Sequence, residues 1–200
     1  MVSNKLGENG VAVMGLIVLG ISFIVMISNL VGGSALVYLS SRKSLVSLLL
    51  VSYVWSVFSA LFMGFVLWYF QLVPAHFVAW TTGIGFLECL FSIHNQVFIG
   101  QENWKTHNSL KLVQKIVQLV VFLLLGITLH HFVVALVASY LVSLVWSFFV
   151  LKNSIRFEGN IQFVSIFKTS FMYGFQIQLS NFLQLLNYRL IYFFIEKSMG

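Results

Sequence analysis

An all-α, polytopic transmembrane helix bundle is the fold class this sequence predicts, and three observations predict it. Of 200 residues, 60% are hydrophobic and 8% charged, with a mean hydropathy of +0.97, whereas a soluble domain carries roughly 25% charged residues. The apolar residues fall in long runs, and a hydrocarbon core about 30 Å thick needs roughly 20 such residues per helical crossing. Finally, lysine and arginine collect in alternate connections between the runs, as they do in multi-pass membrane proteins.

Six helices are expected, over 11–40, 45–72, 76–98, 109–129, 131–151 and 168–195. The first follows a polar stretch, Met1–Gly10, and continues unbroken for about thirty residues from Val11, which is unlike a cleavable signal peptide. It is long enough to tilt or to extend beyond the hydrocarbon. Gly32 and Gly33, with Ser28 and Asn29 one turn earlier, supply the small-residue spacing that lets helices approach closely. The second helix ends on Trp68 and Tyr69, and Pro74, the only proline, lies in the connection after it, where it breaks nothing. Trp80 marks the same side on the third helix, while Trp104 and Trp146 mark the opposite one, as an aromatic belt would. The fourth helix opens with Lys111 and Lys115, and the His130–His131 pair before the fifth reads as an interfacial loop with no carboxylate nearby. The sixth is the most polar.

The charges orient these helices. Connections one, three and five, with the helix start that follows the third, hold Arg42, Lys43, Lys105, Lys111, Lys115, Lys152, Arg156 and Lys168; connections two (Gln71–Pro74) and four hold none. The positive-inside rule places the odd connections in the cytoplasm. The chain then starts outside and stops at Gly200 as its last helix emerges, so both ends read as cuts in a longer protein and residues 1–200 as one bundle of it. A net charge of +6 spread over separate loops predicts no nucleic-acid partner. The lipid bilayer is the expected partner.

Enzyme signatures are missing from the sequence: there is no aspartate, and HExxH, GxSxG and GxxxxGK[ST] do not occur. The single cysteine, Cys89, excludes an intrachain disulfide, and His94, five positions on, stands about 140° around the helix from it, poorly placed to activate the thiol. No catalytic residue, metal site or cofactor is expected.

Two helices carry polar stripes. On the third, Glu88 lies deep in an apolar run, with Ser92 and Asn95 following on the same face and His94 off it. Carboxylates at such depth face a bundle interior or a wet cavity, so this stripe is either a hydrogen-bond cluster between helices or the lining of a translocation path. On the last helix, Tyr173, Gln176, Ser180, Gln184 and Asn187 share about a quarter of the circumference, while Gln178 and Arg189 project from the opposite side. Polar groups on two sides suit a helix in a cavity wall.

Three stretches carry a family resemblance. KLGENGVAVMGLIVLG resembles the segment entering the second helix of bacterial polysaccharide flippases of the multidrug/oligosaccharidyl-lipid/polysaccharide exporter superfamily. FIGQENWKTHNSLKLVQKIVQ is similar to that family's connection between helices four and five, and FMYGFQIQLSNFLQLLNYRLIYFFIEKSMG to its seventh helix with an N-x-R pattern at Asn187 and Arg189. The resemblance implies that the six spans are helices two to seven of a two-lobe transporter in the bacterial inner membrane. It implies that the whole protein flips undecaprenyl-pyrophosphate-linked oligosaccharide for surface polysaccharide or O-antigen synthesis, by alternating access and without covalent chemistry. Amides would meet sugar hydroxyls, and Arg189 or the Arg42–Lys43 pair would attract the pyrophosphate. Other membrane proteins of polysaccharide assembly become candidate partners. Many relatives carry an acid two residues after the arginine, where Ile191 stands here, which removes an ion-coupling role from that spot. The alternatives are a cation-coupled multidrug exporter of the same superfamily, and a membrane acyltransferase or polymerase using His94 or His107.

Overall fold

A computed structural model describes the backbone of residues 2–152 and 163–199, and the side chains of 10–152, 163–180 and 183. Among the described residues the chain is helical, with no strand. The elements are α1 (Val2–Gly32), α2 (Ser34–Leu39), α3 (Leu45–Tyr69), α4 (Ala75–Gly100), α5 (Trp104–Leu125), α6 (Leu129–Lys152) and α7 (Phe163–Met199). Five spans, Gly10–Leu39 and the whole of α3, α4, α5 and α6, are long and apolar enough to cross a membrane. The chain is a multi-pass, all-α membrane protein.

α4 is the centre. It packs on α1, α2, α3, α5 and α6, while α7 lies on the far side of α1, touching α1, α2 and α3. The α1 face against α4 is a ridge of positions three and four apart, Ile17, Ile21, Ile24 and Ser28, all buried. Ile24 fills the space left by Gly85, and Gly32 lies against Ile93. α3 closes on α4 where Gly64 meets Thr82. The same device recurs with serine. Ser52, Ser56 and Ser59 of α3 and Ser139, Ser143 and Ser147 of α6 form buried small-residue stripes at helical spacing. Four of these hydroxyls bond back to their own helix, Ser56 to the Tyr53 carbonyl (2.8 Å), Ser59 to Trp55 (2.8 Å), Ser139 to Leu136 (2.8 Å) and Ser147 to Leu144 (2.9 Å), while Ser52 and Ser143 are buried without a hydrogen-bond partner.

Two contacts fix the ends of the bundle. Gly20 meets Thr81, Leu67 and Val73, which puts the α3–α4 turn beside the middle of α1. Gly100 meets Val37 and Ser40, which puts the end of α4 beside α2. Arg42, Lys43, Lys105 and Lys152 therefore share one end, hereafter the basic end, as the alternation of charge predicts. Trp68 and Tyr69 are exposed at the opposite end, where Trp80 packs edge-on against His130 (6.3 Å), and Trp104 is exposed at the basic end.

Besides α7, which starts at Phe163 and not at 168, three details depart from the sequence expectation. The first helix begins within the polar stretch, at Val2, and does not run unbroken to 40: it stops at Gly32, and Gly33 (φ −96°, ψ −132°) turns the chain into α2. A β-carbon there would lie 2.6 Å from the Asn29 carbonyl oxygen, so only glycine fits. Of the two adjacent glycines, Gly32 packs and Gly33 breaks. Second, α5 starts at Trp104, not 109, because the Asn103 side chain accepts a hydrogen bond from the Thr106 amide (3.2 Å) and caps the helix. Third, His130 and His131 are not in a loop but in the first turn of α6, where the Thr128 hydroxyl accepts from the His131 amide (3.2 Å). Before that turn α5 ends on Gly126, whose φ of +101° is a glycine conformation.

α3 and α4 end alike. After α3, the Leu72 amide donates to the Leu67 carbonyl (3.1 Å) and Gln71 to Trp68 (3.3 Å); after α4, Asn103 donates to Phe98 (2.8 Å) and Glu102 to Ile99 (2.9 Å). These are Schellman turns, whose left-handed position is usually glycine. Here Gln71 (φ 51°) and Glu102 (φ 60°) occupy it. Gln71→Gly is expected to stabilise the folded protein by about 0.5–1 kcal/mol, by relieving the left-handed strain. A rise in the denaturation midpoint in detergent micelles checks it.

Candidate functional site

α7 reaches the basic end through one close contact. A β-carbon at Gly174 would collide with the Leu30 carbonyl of α1, so glycine lets the two backbones touch. Tyr173, the neighbouring residue, is thereby set over α2, where its ring stacks on Tyr38 with centroids 4.8 Å apart and planes 8° apart. Arg42 follows Tyr38 by four residues, and its guanidinium lies 4.1 Å from the centre of the Tyr38 ring while Nη1 donates to the Tyr38 hydroxyl. The result is a column of Arg42, Tyr38 and Tyr173 with all three members partly open to the surroundings. The cation–π contact holds the guanidinium in place at roughly 0.5–1 kcal/mol, while leaving Arg42 donors free for an anion. Lys43 is exposed beside it.

Gln176 and Ser180 are exposed on the same side of α7 as Tyr173. Gln178, expected on the opposite side, is half-buried on the face that Gly174 presents to α1, so that side of the helix does meet protein. Gln184, Asn187 and Arg189 lie outside the residues whose side chains are described.

The α4 stripe turns elsewhere. Glu88 and Ser92 are half-buried and Asn95 is buried. Glu88 lies near Tyr140 of α6, with Lys115 of α5 as the cation on that side, so the stripe faces α5 and α6. Asn95 donates to the Phe91 carbonyl (3.0 Å) and leaves its Oδ1 unpartnered; His107 of α5, close to the Asn95 backbone, leaves its Nδ1 unpartnered. α1 stands between this stripe and α7. The structure therefore joins Tyr173 to Arg42, and holds the Glu88 group apart from both.

Sequence reasoning weighed His94 only as a catalytic alternative and left it off the polar stripe, yet it is the most connected polar side chain described. His94, off the α4 stripe and 4% exposed, bonds through Nε2 to the Tyr53 hydroxyl of α3 (2.5 Å) and through Nδ1 to the Ser147 hydroxyl of α6 (2.6 Å). Ser147 directs its own proton to the Leu144 carbonyl (2.9 Å), so Nδ1–H must be the donor to Ser147. A neutral ring then has a lone pair at Nε2, and Tyr53 donates to it. The bonds run in one sense, Tyr53 to His94 to Ser147 to Leu144, and tie three helices together. Cys89 is buried and unpaired, and no metal-binding group of histidine, cysteine and carboxylates occurs among the described residues.

No protein-family model, characterised protein or solved structure matches this chain.

Proposed function

We propose that this chain belongs to a transporter of the bacterial inner membrane that flips lipid-linked oligosaccharide, carried on undecaprenyl pyrophosphate, for surface polysaccharide or O-antigen assembly. The observation that carries the reading is the Arg42–Tyr38–Tyr173 column. It places a guanidinium, suited to phosphate, on two stacked aromatic rings, of which the outer face of Tyr173 suits the C–H face of a sugar. Gln176 and Ser180 continue from it along α7 with side chains free to exchange hydrogen bonds with sugar hydroxyls. A headgroup captured at the basic end would leave its polyprenyl tail in the bilayer. The family-like stretches in the sequence support the same reading.

Deleting the gene that carries this sequence is expected to make lipid-linked oligosaccharide accumulate on the cytoplasmic leaflet; normal export in that strain would overturn the proposal. Within it, Arg42→Ala is expected to lower export about tenfold, equivalent to roughly 1.4 kcal/mol, with Arg42→Lys recovering part of the loss because charge survives while the bidentate geometry does not. The multidrug-exporter reading separates here, since extrusion of a cationic drug gains nothing from Arg42. An enzyme built on His94 is disfavoured by the commitment of both ring nitrogens to Tyr53 and Ser147.

A further inference from the structure

α3 and α6 both pack on α4 but not extensively on each other, which leaves a groove between them with α4 as its floor. One part, about 630 Å³, is lined by Tyr53, Leu90, His94, Val145 and Phe148; a second, about 300 Å³, continues past Tyr53 and Phe148 to Val46 and Leu151. The walls are almost wholly apolar. Leu50, Val54, Val145, Phe148 and Phe149 are each 38% to 65% exposed on them. On α3 the lining rises about 12 Å from Val46 to Val54, and on α4, whose His94 is level with Tyr53, it continues to Phe86, so that the groove runs about 22 Å from the basic end at 1.5 Å per residue. Its mouth is at the basic end. Lys152 follows the lining residue Leu151, Lys43 precedes Val46 by three residues, and both are exposed.

A groove apolar inside and flanked by two lysines at its mouth matches the two ends of one kind of molecule. We propose that it seats one acyl chain of an anionic phospholipid from the leaflet at the basic end, with the phosphate between Lys43 and Lys152. Such a lipid is a resident of the protein and distinct from the cargo proposed above. It also covers Tyr53 and His94 where they line the groove. A lysine near the membrane surface is drawn to anionic lipid, so a preference for phosphatidylglycerol over phosphatidylcholine follows from the charges alone.

The full-length protein, reconstituted in vesicles of phosphatidylglycerol and phosphatidylcholine with a trace of phosphatidylglycerol bearing a photoreactive acyl chain, provides the test. Cross-links are expected to concentrate on α3 and α6 peptides. Leu50→Trp, which fills the groove from its open wall, is expected to cut that yield at least fivefold, whereas Leu119→Trp on the exposed face of α5 leaves it unchanged. Lys43→Gln with Lys152→Gln should lower the yield with photoreactive phosphatidylglycerol severalfold and bring it to that of photoreactive phosphatidylcholine. Labelling spread evenly over all exposed helix faces, an undiminished yield in Leu50→Trp, protein–protein cross-links through Leu50 and Val145, or displacement only by a polyprenyl pyrophosphate would each overturn the proposal. None of these outcomes depends on whether oligosaccharide export is lost in the deletion strain.

Discussion

Gly174→Leu is expected to undock α7 from α1 and to destabilise the protein by about 3 kcal/mol, the upper part of the range for overpacking a close interface. The obstacle is the Leu30 backbone carbonyl, which a change of rotamer cannot move. Gly174→Ala should already show part of the loss. Gly83, where an added methyl would meet open space, is the control: Gly83→Ala is expected to be neutral or to stabilise by about 0.5–1 kcal/mol through helix propensity alone. Denaturation midpoints in detergent micelles read both. The leucine variant has a second readout, because lifting Tyr173 off Tyr38 also dismantles the platform under Arg42, so export should fall with stability. An unchanged midpoint for Gly174→Leu would mean that α7 does not dock through this contact.

His94→Ala is expected to cost about 2–4 kcal/mol. It removes a buried ring, leaving a cavity among α3, α4 and α6, and strips partners from Tyr53 and Ser147. Tyr53→Phe alone should cost much less, about 0.6 kcal/mol, the typical worth of one hydrogen bond between membrane helices. The two changes share one bond, so Tyr53→Phe should add almost nothing in the His94→Ala background. Full additivity of the two losses would show that the bond is not made.

The helices themselves were legible because burial in lipid leaves a one-dimensional trace: runs of about the right length, with polar breaks between them. The basic end was legible for the same reason, since Arg42, Lys105 and Lys152 sit in alternate breaks. The Gly33 interruption was not, because adjacent glycines announce close packing and a helix break with the same letters, and only the Asn29 carbonyl decides between them. His94 escaped for a different reason. A helical stripe scores a residue against its own helix, whereas the partners of His94 stand 41 and 53 residues away on α3 and α6. The signal that could have found it was the serine spacing of α6, 139, 143 and 147, which marks the α4-facing side of that helix. Likewise Tyr173 stood out in the sequence as one of five polar positions on α7, and only the Gly174 contact singles it out as the one joined to Arg42.

The abrupt endings of α3 and α4 bear on how the protein meets bilayers of different thickness. At 1.5 Å per residue these helices, of 25 and 26 residues, are about 37–39 Å long, beyond a hydrocarbon core of about 30 Å. A helix whose last turn frays can shorten to suit a thin membrane. Turns closed by paired amides at Gln71–Leu72 and Glu102–Asn103 resist that, and the buried ridges on α1 hold both helices in a common frame. Hydrophobic mismatch must then be absorbed by tilting several helices together or by deforming the lipid around them, so bilayer thickness acts on the orientation of the whole bundle more than on any one of its helices.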